Sequence, residues 1–372
     1  MTKYRGFFMK GSFMLKPLMV VIGLSSAMVA NATEQHDVEQ FKLKLNSFSY
    51  SNIAPISQII DDNWRKKPNN NASNAFTHNE LSFSYTKNNL QLSIRKRLSA
   101  VVKTNTATSE LYYASQQEDP TLLIDDANIN LQLTTQESTG LMAGYRLDLS
   151  DLSLGLELGY WRIDDRRDSV LTGNVSLIAG QYIGQLSMSE LYSDNNFLKR
   201  PHLGDFKRTG DGITANVSAN WQINPTLNIN LTVDDIYAKY KINEHGYSEG
   251  SLNTDNTLIN DKGFETFLPF YSGFEKTKDH RFDSDPKSKL TLSYLSELGT
   301  LTMQASRLYN TNFVEIGYQW SLNNYQIITS FDVERLTPSI AIRDQDWHLA
   351  FGMDKLDIDD AQTLRLNLSY RW

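Results

Sequence analysis

The 372-residue sequence contains no cysteine, which excludes disulfides, thiolate metal sites and cysteine nucleophiles. Long apolar runs are missing too, except near the start. A mean hydropathy of -0.43 is too polar for a helical membrane protein. Basic residues are not in excess: 36 Lys and Arg stand against 43 Asp and Glu, for a formal net charge of -7. Binding to a nucleic-acid backbone is therefore not expected. P-loops, dinucleotide fingerprints and helical recognition motifs are absent, and no cofactor is predicted.

The first thirty-two residues read as an address. Lys3, Arg5, Lys10 and Lys16 form a basic lead without an acidic residue, followed by the apolar stretch 18–29 and then Ala30-Asn31-Ala32. This is the pattern of a secretory signal peptide cut after Ala32. It predicts two segments, a cleaved leader (1–32) and a single exported domain (33–372) with no soluble second domain.

From residue 41 onward, apolar and polar residues alternate. Ala127, Ile129, Leu131 and Leu133 share one face of a strand, while Asn128, Asn130, Gln132 and Thr134 share the other. The stretches 152–160, 213–223 and 227–234 repeat the pattern, and Asn224-Pro225 marks a tight turn. About sixteen such stretches occur, most of the length a tilted strand needs to cross a bilayer. Their polar faces are rich in Asn, Ser, Thr and Gln, and aromatics such as Tyr160-Trp161, Trp221, Tyr318, Trp320 and Trp347 gather near strand ends. Both features suit a barrel with an apolar outside, a wet inside and aromatic girdles. The fold class is predicted as all-β, a transmembrane antiparallel barrel of about 14–18 strands with sixteen the best count.

The last stretch places Leu364, Leu366, Leu368, Tyr370 and Trp372 on one face and Arg365, Asn367, Ser369 and Arg371 on the other. It resembles the C-terminal assembly signal of Gram-negative outer-membrane β-barrels, a porin-like group, in which an aromatic residue closes an alternating final strand. The resemblance implies handling by the barrel-assembly machinery and residence in the cell outer membrane, among lipid and lipopolysaccharide.

Long connections are predicted near 51–78, 99–125, 192–211 and 239–287. With sixteen strands they fall on both ends of the barrel, whereas outer-membrane barrels gather long loops at one end. An element is therefore miscounted, within 134–192 or 308–346. The aromatic-rich segment 239–287 reads either as a loop folded inward or, the preferred reading, as extensions of its neighbouring strands.

The inward rows predict pore-lining charges: basic Lys42, Lys44, Arg95, Arg97, Arg146, Arg365 and Arg371, and acidic Glu157, Asp234, Glu315, Asp332 and Glu334. Closing the barrel should bring Lys42 and Lys44 beside Arg365 and Arg371, forming a basic wall at the seam opposite a more acidic one. Such opposed charges orient polar solutes; equally, they could pair across strands and fill the interior.

Of the six histidines, only His348 falls within a predicted strand, and His36, His78, His202, His245 and His280 fall in loops or near the N-terminus. Asp279-His280, with Asp283 and Asp285, is reminiscent of the acidic dyads of outer-membrane proteases, but all four lie in one predicted loop. Asp354, Asp357, Asp359 and Asp360 fit no calcium loop and read as a solvated turn. No catalytic, cofactor or metal residue is predicted, so an outer-membrane hydrolase is the least favoured reading. A barrel of this strand number should have a lumen too wide for side chains to fill. The expected function is a channel for small polar solutes; the alternative is a non-conducting structural or secretion-associated barrel whose loops bind a partner.

Overall fold

The structure, a computed structural model, describes residues 39–117, 125–178, 181–193, 210–254, 257–259, 265–267 and 270–372. The predicted leader lies outside them, as do parts of the predicted loops 99–125, 192–211 and 239–287. No helix among the described residues is long and apolar enough to cross a membrane.

Strict alternation gives strands, and tight turns reverse them. The first half of the wall runs β1 (Glu39–Ser51), β2 (Asn74–Lys87), β3 (Leu90–Thr104), β4 (Asp126–Leu149), β5 (Leu152–Ile178), β6 (Gln181–Tyr192), β7 (Gly210–Asn224) and β8 (Leu227–Asn253). A short hairpin, β9 (Thr257–Ile259) with β10 (Glu265–Phe267), precedes β11 (Phe270–Asp283). The second half is β12 (Lys287–Ser296), β13 (Gly299–Leu308), β14 (Thr311–Leu322), β15 (Tyr325–Asp332), β16 (Thr337–Arg343), β17 (Trp347–Met353) and β18 (Thr363–Arg371). Two helices, α1 (Ile56–Ile60) and α2 (Thr106–Gln117), lie in the connections after β1 and β3.

Antiparallel pairing closes a ring of 14 strands, from β1 through β5, then β7, β8 and β12 to β18, which returns to β1. Closure removes every free edge from the ring, leaving its backbone groups paired between neighbours. Two further strands stand outside it. β6 continues the line of β7 and pairs the far halves of β5 and β8, while β11 continues the line of β12 along β8. These long strands make a sheet that projects beyond the ring.

The arrangement resolves the loop conflict. The predicted strands 126–134 and 139–149 are one 24-residue strand, and 152–163 and 169–179 are one 27-residue strand. Each was split where the polar run at 135–138 and the charged run at 164–168 interrupt the apolar row. There Asp164 forms a bulge opposite Glu137/Ser138, which bends the pair without ending it. With those merged, the described strands enter and leave all four long connections at the end opposite Glu39 and Trp372. In the segment 239–287, β8 runs on to Asn253 and pairs with β11, as the strand-extension reading expected. The sequence count also missed β16, a seven-residue strand carrying Pro338.

Outside the ring, Leu141, Leu156 and Leu158 are each at least half exposed. Rows of this kind on most strands give the barrel an apolar exterior, the inverse of a soluble fold. Near the termini, Phe41, Tyr370 and Trp372 stack at the seam, with ring centroids 6.0 and 5.6 Å from Trp372. The backbone of Trp372 also exchanges hydrogen bonds with Phe41.

A cap sits on the opposite rim. Ile53, Ala54, Trp64, Ala72 and Ala75 form a small core joined by Tyr112 and Tyr113 of α2. Buried Gln58 holds the loop by accepting from the backbone N–H groups of Arg65 and Lys66. Arg65 and Lys66 pair with Asp359 and Asp360 at 3.1 and 2.6 Å. Those two acids thus tie the β17–β18 turn to the cap, rather than standing only in solvent. Tyr112 donates its hydroxyl to Asp62. Burial pushes the Asp62 carboxyl above its ordinary range, opposed by the Tyr112 bond, and burial beside that carboxylate raises the Tyr112 phenol.

Candidate functional site

Strand register places the predicted charges. Lys42 stands beside Arg371 and Lys44 beside Ser369, so the basic residues at the seam do meet. Arg365 stands higher, opposite Phe48, and its guanidinium turns to Glu315 and Asp332. Arg95 contacts Glu157, and Arg97 contacts Glu80. Asp234 lies opposite Lys287. Arg146, near the terminal end, is exposed and paired with Asp148 at 3.3 Å. Glu334 is in the β15–β16 turn, exposed, and paired with Arg335. It therefore leaves the inward row, because β15 ends at Asp332.

Inside the barrel, side chains from strands that are not neighbours touch. Arg97 Nη1 lies 2.9 Å from Asp235 Oδ2, and the same guanidinium lies 3.1 Å from Glu80 Oε2. Lys287 of β12 also bonds Asp235. Arg95 bonds Glu157, whose other oxygen accepts from Asn216 Nδ2 at 2.7 Å. Asp235, Arg97 and Lys287 are all buried. Each of these buried charges is paired, as the cost of desolvating a lone ion demands. Asp235 gets there through a bulge: its φ of 56° and the register shift between β7 and β8 turn its side chain inward. Its backbone N–H donates to Asn216 Oδ1 at 2.8 Å.

Beside the ionic cluster lies an aromatic one. Phe313 of β14 packs against Phe48 and Tyr50 of β1 and Phe76 of β2, with centroids 4.9, 5.4 and 6.1 Å away. Arg335 lies 4.2 Å over the Phe313 ring and Arg365 lies 4.4 Å over Phe48. Tyr309 comes from a two-residue turn with Asn310, both at positive φ, 46° and 65°. For so bulky a residue that is a strained conformation. The turn points the Tyr309 hydroxyl to within 2.8 Å of His78 Nδ1 on β2. On the ring, β2 and β14 are separated by five strands on one side and seven on the other. The interior is thus bridged almost across its diameter. This corrects the expectation of a bore too wide for side chains to fill.

Below this layer, towards the termini, inward-facing Lys42, Lys44, Asp234 and Lys289 are exposed, so water reaches them from within the barrel. Above it, a cavity of about 580 Å³ opens among Tyr50, Asn74, Lys103, Tyr309, Thr311 and Arg335. Two hydrated spaces are separated by one stratum of paired charges and rings.

Several members of that stratum escaped sequence reasoning. Glu80 and His78 lie on the inward row of β2, and alternation through Leu81, Phe83 and Tyr85 could have found them. Asp235 could not be found that way, because the bulge breaks the alternation. Three histidines predicted in loops are on strands: His78 on β2, His245 on β8 and His280 on β11. Asp279, His280 and Asp283 are likewise on β11, and His280 lies 3.5 Å from Asp168. Asp168 is already engaged by Arg166 and by Thr134, which leaves it poorly placed to direct a water. Gly246-Tyr247-Ser248-Glu249-Gly250 is a Gly-x-Ser-x-Gly hydrolase pattern, so the reading that the sequence holds no such arrangement is corrected. It lies inside strand β8, whereas the chemistry needs a strand-to-helix turn that exposes the serine; Ser248 is buried. Among the described residues no group of acids and histidines could hold a metal ion.

No protein-family model matches the chain, and no curated protein does. Solved structures resemble it weakly. The P. putida toluene transporter TodX has a TM-score of 0.41 and 9% identity, over 90% of this chain and 89% of that one. The Ralstonia pickettii toluene transporter TbuX has a TM-score of 0.33 and 8% identity, covering 91% and 90%. The translocator domain of the autotransporter NalP from Neisseria meningitidis has a TM-score of 0.25 and 8% identity, covering 90% and 86%. Likeness at this level assigns neither a family nor a solute.

Proposed function

We propose that the protein is an outer-membrane channel for small polar solutes whose interior is closed by its own side chains in this conformation. The observation that carries the reading is the stratum itself. A polar lower lumen and a polar upper cavity approach each other, separated by a layer that includes the Arg97–Asp235–Lys287 and Phe48–Phe313 contacts and the Tyr309–His78 bridge. The inside-out patterning supports placement in a membrane. The predicted leader and the terminal aromatic strand support the outer membrane, with the barrel-assembly machinery as the insertion partner and lipid and lipopolysaccharide as the surroundings. Passage of a solute would require the ionic and aromatic contacts to part together.

Planar-bilayer recording tests this. Wild-type protein should insert with small or infrequent conductance steps, and Phe313→Ala should enlarge or lengthen them. Silence from Phe313→Ala and Asp235→Asn alike, in protein shown to be folded, would overturn the channel reading. It would favour a non-conducting structural or secretion-associated barrel that binds a partner through the rim. The same bridged interior and the ordered cap are what that second reading has in its favour.

A further inference from the structure

Below the closing stratum, the charges are not balanced. Register sets Arg343 of β16 beside His348 of β17, His348 beside Ser369 of β18, and Ser369 beside Lys44 of β1. Ser82 of β2 completes the row beside Lys44. One step nearer the termini, Lys42 stands between Arg371 and Ser84. Arg343, His348, Ser369, Lys44 and Ser82 therefore form one row across five neighbouring strands on one wall of the lumen, with Lys42 and Arg371 beside it.

These cations are not neutralised by the wall. Among the described residues, Lys42, Lys44 and Arg343 form no ion pair, in contrast to the stratum above, where each buried charge has its partner. The charged groups acting on Lys42 are Lys44, Arg371 and Arg343, all of the same sign. Of the acids, Glu80 of the stratum acts on Lys44, while Asp234 and Glu315 act on Lys289 of the facing wall, which Lys44 opposes. Lys42, Lys44 and Arg343 are exposed to water, so their ammonium and guanidinium donors are available to a solute. Like charges in excess over the acids near them repel one another, and a bound anion relieves that repulsion while accepting charge-assisted hydrogen bonds.

We infer that this wall is an anion-binding site in the lower lumen, taking small carboxylate or phosphate solutes between Lys42, Lys44 and Arg343, with the Ser369 and Ser82 hydroxyls as neutral donors. The inference deepens the channel reading by naming the class of solute, yet binding does not require that the stratum open. Rings or rows of Lys and Arg play this part in anion pores.

The test uses the full chain purified in detergent, with inorganic phosphate as the probe, followed by phosphorus NMR line broadening. Wild type should broaden the phosphate signal, and the double variant Lys42→Gln/Lys44→Gln should weaken binding by about tenfold or more, as the loss of two charge-assisted contacts implies. Lys44→Arg keeps the charge and should retain binding, while Lys355→Gln, on an exposed turn, should change nothing. Heat-dependent gel mobility reports whether each variant is folded; should the double variant not fold, Lys44→Gln is read alone, with a weakening of about threefold or more expected. In a second arm, Phe313→Ala is recorded under a potassium chloride gradient, where the reversal potential should favour chloride and lose that preference when the two lysines are replaced. Phosphate binding without conductance in any variant would uphold the site and refute the channel. Conductance with no phosphate binding, and a reversal potential unmoved by the lysine changes, would overturn the site alone.

Discussion

Arg97 Nη1 and Asp235 Oδ2 lie 2.9 Å apart although β4, β5 and β7 separate their strands in the wall. The long guanidinium rests on the Trp161 ring, 4.5 Å from its centroid, and that ring covers Gly140 on β4. A buried ion pair reached this way ties one arc of the barrel to another. It also fixes the level at which the interior closes.

Removing one partner should therefore cost more than removing both. Asp235→Ala leaves Arg97 and Lys287 buried without their shared carboxylate, a loss of about 3–5 kcal/mol. Replacing Arg97, Asp235 and Lys287 together by apolar residues of similar volume should recover much of it. Urea unfolding in detergent, followed by tryptophan fluorescence, checks the order of the two variants. A single variant as stable as wild type would show that the Asp235 carboxylate adds nothing net to stability.

Gly140 has no room for a side chain. A Cβ there would sit 2.6 Å from the Trp161 ring, and that indole is fully buried with its Nε1–H donating to Thr214 Oγ1 at 2.9 Å. Gly140→Ala must push the ring aside, an overpacking cost of about 1–3 kcal/mol. The urea midpoint should fall accordingly. Gly144→Ala, where the nearest atom is 3.6 Å away, should leave it nearly unchanged.

Trp372 ties the seam. Its ring stacks on Phe41 and Tyr370 and lies 5.9 Å from Phe83. Each such aromatic pair contributes about 0.5–1.5 kcal/mol beyond its area. Trp372→Ala should lower the temperature at which the heat-dependent gel shift occurs, and Trp372→Phe should restore most of it. Equal loss in both would point to the backbone pairing rather than the ring.

The rim cap should loosen as pH rises. Burial raises the folded-state carboxyl of Asp62 above its ordinary 3.8, so the folded form holds the proton more tightly than the unfolded one. That contribution is complete below 3.8 and is lost as pH climbs through the folded value. Hydrogen exchange of α2, corrected for the intrinsic rate, should therefore quicken across this window. Asp62→Asn, which keeps an acceptor for the Tyr112 hydroxyl, should flatten the dependence.

The outline of the barrel was legible in the sequence because each ring strand alternates faces: Leu156 and Leu158 outward, Glu157 inward. That rule alone puts Lys42, Lys44, Arg95 and Arg97 on the polar rows of their strands. It failed where the backbone departs from a period of two. The bulge at Asp164 made one strand read as two, Pro338 hid a short strand, and the bulge at Asp235 reversed the face of a central residue. The Tyr309-Asn310 turn reads in the sequence as an ordinary hairpin, but its positive φ values turn the ring towards His78.

The sequence by itself determined an all-β chain with an apolar and a polar face, since parity along a strand is a local property of the backbone. It also placed the basic residues at the closing seam, where the first and last strands must meet. Only the tertiary structure decided that the lumen is divided, with paired charges and rings above and unpaired cations below. Contacts such as Arg97 to Asp235 and Phe76 to Phe313 depend on how strands far apart in the chain curve towards one another, and no local pattern encodes that distance.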